Sequence, residues 1–320
     1  MKSGLGLTHT DVVGEAWELS VEPDFPSRLV EGPTLDDVLR SDPSALLGRE
    51  SPLGSTALLV KLLDADDDLS VQIHPEDTDP ALAAGESGKP EAWYIIDAEP
   101  GAGLYLGFRD GVSRQDVQKA IDDEDDVSAL LSFVPVSVGD VFVIEPGTPH
   151  AVGRGVLLLE PQRVSPGKRG ITYRYWDWNR QYDSGERPDR SGAPRALHLE
   201  RALDVTRWQG PREDLLLEIM RHRAGPAAIE AGANLEPLIS GEGPLRSAVF
   251  RAKRLTGKGE TALPAADNLR SLTVLEGRVT IRSDDIELEI PRGQTAALPP
   301  CLGPLLVTLD RAHAIVCNLT

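Results

Sequence analysis

The stretch GDVFVIEPGTPH (139–150) reads as a buried strand followed by a tight Pro-Gly return that ends on a histidine. Gly139 and Gly147 shape the return between strands, and His150 then starts the next strand pointing inward. Working outward, LSVQIHP (69–75) is a strand whose side chains alternate between faces. Ser70, Gln72 and His74 share one face, and Leu69, Val71 and Ile73 share the other. Glu91 opens a further run, EAWYIID (91–97). Gln72, His74, Glu91 and His150 form a nitrogen and oxygen donor set with one carboxylate, suited to a borderline divalent metal such as Zn2+, one per chain.

Similar short apolar runs separated by Gly and Pro recur: STALLVKLL, GLYLGF, GVLLLEP, ITYRYWDW, then SLTVLEGRVTI, IELEIP, QTAALP and LLVTL. Many short strands with turn residues between them predict a mainly β, antiparallel sandwich or barrel. Helices are few. Thr34 with Asp37, and Ser113 with Asp116, each offer an N-cap and an acidic third position, so short helices are expected there. A longer amphipathic helix is expected over Leu197–Trp208. Residues 1–209 read as the metal-binding domain, 210–244 as an irregular connecting segment rich in Gly, Pro and Ala, and 245–320 as a last β-rich domain. In that last domain Leu275–Val279 reads as strand, turn and strand. His313 stands alone and is expected to be a surface or hydrogen-bonded core residue.

A chain of 320 residues with 40% hydrophobic and 26% charged residues is globular. Its formal charge of −18 argues against general nucleic-acid affinity, which depends on clustered Lys and Arg. The N-terminus MKSGLGLTHT lacks a secretory apolar region, and no run is long enough to span a membrane, so a cytoplasmic protein is expected. Cys301 and Cys317 lie outside any metal-finger spacing, and a buried thiol is expected for each. No coiled-coil or repeat pattern points to assembly, and a monomer is expected.

Gly139, Gly147 and His150 match the second cupin motif, G-x5-P-x-G-x2-H, with Glu145 in place of its first proline. In order, VGEAWELS (13–20), PSR (26–28), LSVQIHP, GKPEAWYIID (88–97), PGTPHAVGRG (146–155) and TYRYWDWNR (172–180) resemble the short bacterial type I phosphomannose isomerases. The resemblance covers most of the first 200 residues and implies two cupin, jelly-roll-like β-barrel domains with a few short helices. The second domain carries no histidine where a metal-binding cupin would place one. Implied is a zinc-dependent aldose–ketose isomerase that interconverts mannose 6-phosphate and fructose 6-phosphate, a small-molecule sugar phosphate being its partner.

By motif position the zinc ligands fall on Gln72, His74, Glu91 and His150. Arg174 corresponds to an arginine treated as catalytic, Lys89 lines the active site, and Glu160 is an acid/base or supporting group. Arg180 and Ser70, with Lys89, are the substrate-binding residues. Asp177 is read as orienting Arg174 or His150. Two departures stand out: the usual leading segment is missing or replaced by MKSGLGLTHT, which is expected to alter one wall or edge strand of the barrel, and the link from Glu160 to Arg174 adds Arg163, Lys168 and Arg169, one or more of which is expected to aid anion recognition. The alternatives are a non-catalytic sugar-phosphate-binding cupin and an isomerase of a different phosphorylated aldose. An iron-dependent dioxygenase is disfavoured by the Gln donor and the Lys/Arg set.

Overall fold

The structure, a computed structural model, describes residues 13–30, 32–185, 188–284 and 286–320. The expectation placed on MKSGLGLTHT lies outside the described residues. The first part of the chain forms β1 (Glu15–Leu19), β2 (Leu58–Asp64), β3 (Val71–Ile73), β4 (Glu86–Ser87), β5 (Glu91–Ala98), β6 (Gly103–Phe108), β7 (Leu131–Pro135), β8 (Asp140–Ile144), β9 (His150–Val152), β10 (Val156–Arg163), β11 (Arg169–Gly170) and β12 (Tyr173–Trp176). Then follow β13 (Arg221–Arg223), β14 (Asn234–Ser240), β15 (Leu245–Arg246), β16 (Phe250–Leu263), β17 (Arg270–Arg282), β18 (Glu287–Pro291), β19 (Thr295–Leu298) and β20 (Leu305–Leu319). The helices are α1 (Leu35–Ser41), α2 (Pro43–Leu47), α3 (Arg114–Asp122), α4 (Leu199–Val205) and α5 (Glu213–Met220).

Two antiparallel sheets carry the first part, one six-stranded in the order β1-β2-β10-β5-β8-β13 and one five-stranded in the order β12-β3-β9-β6-β7. Alternation along each strand explains their stacking. Trp93 and Ile95 of β5, Phe142 and Ile144 of β8, and Leu158 of β10 meet Leu104, Leu106 and Val152 of the other sheet in one buried cluster. The intervening residues Ala92, Tyr94, Val141, Val143, Leu157 and Leu159 face the opposite way and pack with Leu238, Phe250, Leu275 and Ile315 from the C-terminal sheet. The far face of the five-stranded sheet, with Val71, Ile73 and Ala151, is covered by Val117 of α3 and by Ala202 and Leu203 of α4.

The C-terminal sheet runs β15-β14-β16-β20-β17-β18, with β19 on the first half of β17. Leu275–Val279 is one continuous strand, where the sequence suggested a turn. Gly277, at φ +66°, forms a bulge at which the register to β20 shifts. A Cβ there would lie 2.2 Å from the Arg311 carbonyl oxygen. Strand pairing leaves each sheet with open edges, so the layers are stacked sheets and not closed barrels.

Capping boxes form at Thr34–Asp37 and Ser113–Asp116. The third helix is shorter than Leu197–Trp208: the Ala202 carbonyl accepts from Thr206 Oγ1 at 2.7 Å and Tyr175 OH at 2.9 Å, and the backbone turns extended at Thr206. Residues 210–244 hold α5, β13, which joins the six-stranded sheet, and β14, which joins the C-terminal one. Cys317 is buried, but Cys301 is exposed in a turn after β19, correcting the expectation of two buried thiols. His313 is a hydrogen-bonded core residue, with Nε2 3.0 Å from Tyr94 OH. No helix among the described residues is long and apolar enough to cross a membrane.

Candidate metal centre

Both sheets supply the site. β3 and β9 pair with Gln72 opposite His150 in the five-stranded sheet, while Glu91 opens β5 in the six-stranded sheet facing it. His74 follows β3 directly, and Gly147 N–H donates to its carbonyl at 2.9 Å, which ties the Pro-Gly return to the histidine strand. Gly147 sits at φ +82°, where a Cβ would lie 2.9 Å from the Val205 carbonyl oxygen.

Each imidazole is oriented by the backbone. His74 Nδ1 is 2.9 Å from the Ile171 carbonyl and His150 Nδ1 is 2.9 Å from the Thr148 carbonyl. A carbonyl only accepts, so both Nδ1 atoms carry the proton and both Nε2 atoms present lone pairs. Those lone pairs converge on Glu91: His150 Nε2 lies 3.0 Å from Oε1 and His74 Nε2 3.3 Å from Oε2. Facing lone pairs repel unless a cation or a proton lies among them, and His74 Nε2 is buried with no hydrogen-bond partner. Burial and Lys89 push the His74 imidazole down to about 4, so it is neutral at neutral pH. For Glu91, burial opposes ionisation, and the positive charge that His74 (once protonated), Lys89 and a protonated His150 place beside it overrides this and holds the carboxyl well below its usual range. His74, Glu91 and His150 are all buried and offer ligand atoms within 4.8 Å of one another, a donor set that fits a divalent metal.

The other expected residues fall into two groups. Lys89 Nζ is 3.7 Å from Glu91 Oε2. Glu160 is buried and accepts from Trp93 Nε1 at 2.9 Å, and burial, then the Glu91 charge, push it up to about 7. Arg174 stands opposite Gln72 in the β12–β3 register, and Ser70 Oγ accepts from Arg174 Nε and from Gln72 Nε2, each at 3.2 Å. These residues gather beside the metal centre. Arg180, in contrast, is held by Asp177 at 2.5 Å and Asp67 at 2.9 Å. Asp177 also accepts from Tyr182 OH at 2.9 Å, so it organises Arg180 and not Arg174 or His150. Arg163 and Arg169 form ion pairs with Asp77 and Glu86, which answers locally two of the three cations expected to aid anion recognition.

Two contributors were missed in the sequence. Gln162, 1% exposed, donates from Nε2 to Glu91 Oε2 at 2.8 Å. Trp93 holds Glu160 and sets its ring edge-on to His150 at 5.4 Å. The signal for Gln162 was present in GVLLLEPQR, where alternation puts Leu158, Glu160 and Gln162 on one face. Pro161 obscured it by suggesting that the strand ended. The ladder to β5 lapses at Glu160 and Pro161, where proline has no N–H to give, and pairing resumes in the same register at Gln162 opposite Glu91.

Stacked antiparallel sheets with a buried His–Glu–His group between them, beside an arginine and a lysine, define a cupin-type protein with a group able to hold a metal. A family profile described as the phosphomannose isomerase type I catalytic domain matches residues 3–97. The "Probable mannose-6-phosphate isomerase GmuF" of Bacillus subtilis is 32% identical over 300 residues, 92% of this chain and 86% of that protein. The mannose-6-phosphate isomerase of Streptococcus mutans is 36% identical over 200 residues, a match spanning 61% of this chain and 58% of that relative's length. The crystal structure of the mannose 6-phosphate isomerase from Bacillus subtilis superposes with a TM-score of 0.77 at 25% identity, covering 99% of this chain and 93% of that one. The chain belongs to the type I phosphomannose isomerase family, whose members are aldose–ketose isomerases.

Proposed function

We propose that the protein is a zinc-dependent isomerase interconverting mannose 6-phosphate and fructose 6-phosphate by proton transfer between C1 and C2 through an enediol or enediolate. The observation that carries the reading is the pair of buried imidazole lone pairs aimed at the Glu91 carboxylate. His74, Glu91 and His150 would hold the metal, with Gln72 as the fourth ligand from the strand beside His150. When bound, zinc supplies Lewis-acid polarisation of the sugar oxygens.

The chain's own groups do the rest. Glu160, raised to about 7, is poised to take and return a proton at neutral pH. Arg174 and Lys89 present positive charge to the developing oxyanion. Ser70 and Arg180 form the phosphate end, and Arg180 exchanges the exposed Asp67 for the phosphate while Asp177 keeps its guanidinium in place. The test is conversion of mannose 6-phosphate to fructose 6-phosphate by the purified protein, with metal content measured on the same sample, repeated after chelation and zinc restoration. Activity that follows zinc supports the reading. A zinc-loaded protein without turnover overturns it in favour of another phosphorylated aldose or a binding role.

A further inference from the structure

Gln162 and Glu91 stand opposite each other in the β5–β10 ladder, and a carboxylate only accepts, so the NH2 end of the Gln162 amide must face it. The two Glu91 oxygens are thereby made unequal. Oε2 carries the 2.8 Å Gln162 hydrogen bond and lies 3.7 Å from Lys89 Nζ. Oε1 faces His150 Nε2 at 3.0 Å and carries no such donor, while Oε2 has His74 Nε2 at 3.3 Å in addition to its two donors. We infer that Gln162 is a positioning residue that engages one oxygen of Glu91, limits this carboxylate to one-oxygen ligation and so sets the metal preference of the site. This rests on the metal-site reading above.

The physical basis lies in what different cations require. Calcium takes roughly six to eight oxygen ligands and readily accepts a carboxylate through both oxygens. Zinc in a site of this kind takes about four ligands and needs only one oxygen beside the imidazoles. Oε2 keeps a second lone pair, but its charge is already shared with the Gln162 donor and the Lys89 ammonium, so it is the weaker ligand of the two oxygens, a handicap for a cation that needs both and not for zinc bound through Oε1. Gln162 Oε1 is itself buried without a partner, so the amide has no second hydrogen bond on which to swing away. Groups that orient a metal ligand in this way alter affinity by about ten- to a hundredfold.

The test uses the full chain, stripped of metal and titrated separately with zinc, manganese and calcium against a competing chelator. Gln162→Met keeps the length of the side chain and removes the donor. The zinc Kd is expected to rise about ten- to a hundredfold, with manganese and calcium affinity unchanged or tighter, so the preference for zinc narrows at least about tenfold. Equal weakening for all three ions, or no change, overturns the inference. Gln162→Asn, which keeps the amide but withdraws its reach, is expected to narrow the preference in the same direction, and covers a failure of the Met variant to fold by circular dichroism. Wild-type protein that binds none of the three ions overturns the metal-site reading itself, whereas a zinc preference equal in wild type and variant overturns only the role of Gln162.

Discussion

Arg174 reaches Ser70 Oγ and the Ala196 carbonyl and has no carboxylate partner among the described residues, so its charge is available to a ligand. Arg174→Ala is expected to retain the fold and its zinc and lower kcat at least about a hundredfold, the size of loss typical when a donor to a developing oxyanion is removed. Unchanged kinetics would remove Arg174 from the chemistry. Glu160 gives a prediction in pH. With its folded value near 7 and the ordinary carboxyl value of 4.5, the folded chain holds this proton more tightly than the unfolded chain. The associated stability is complete below about 4.5 and is lost as pH rises towards 7. In metal-free protein, Glu160→Gln is expected to gain on wild type across that window, by on the order of 3 kcal/mol at its upper end, read from urea unfolding at a series of pH values. A difference that stays flat with pH would refute the raised value. Ser70, Gln72, His74, Glu91 and His150 were legible from alternation and motif spacing. Asp177 and Arg180 were not, because which carboxylate pairs with which guanidinium depends on contacts between loops such as Asp67 to Arg180.

Elements place the ligands through turn geometry. The Pro-Gly return between β8 and β9 is held by Gly147 at positive φ against the Val205 carbonyl. Gly147→Ala is expected to lower Tm and reduce metal content together, because the strain must be relieved by moving the strand that begins with His150; a zinc-replete variant of normal Tm would show that the turn is dispensable. The α1 cap is a contrasting case remote from the site. Thr34→Ala removes the hydroxyl that accepts from Asp37 N–H and is expected to cost about 1 kcal/mol in urea unfolding with zinc affinity unchanged. Both cap positions were legible because a capping box is local chemistry. The bulge at Gly277 and the early end of α4 were misread, since each follows from a distant partner: Arg311 crowds the first, and Tyr175 competes for the Ala202 carbonyl in the second.

The molecule as a whole joins its halves through one core. Tyr94 points away from the metal side of β5 and meets His313 of β20 and Arg254 of β16, while Arg254 pairs with Glu236 at 2.6 Å and donates to the Ala224 and Gly225 carbonyls. Burial and Arg254 push His313 down to about 4, so it is neutral at neutral pH and shares its hydrogen bond with Tyr94 as an uncharged ring. Arg254→Met leaves the Glu236 charge and two carbonyls without their partner and is expected to cost about 3 kcal/mol or more. Differential scanning calorimetry reads this as a lower Tm, and an unchanged Tm would show the network to be incidental. The sequence by itself determined the mainly β architecture and the short capped helices, and it singled out the residues proposed as ligands, because alternation, capping and turn spacing are local properties of a chain. Only the tertiary structure decided that Gln162 and Trp93 support Glu91 and Glu160, and that Arg163, Arg169 and Arg180 are matched by acidic side chains. Those relations depend on which strands become neighbours and which faces close on each other, and no local pattern encodes that.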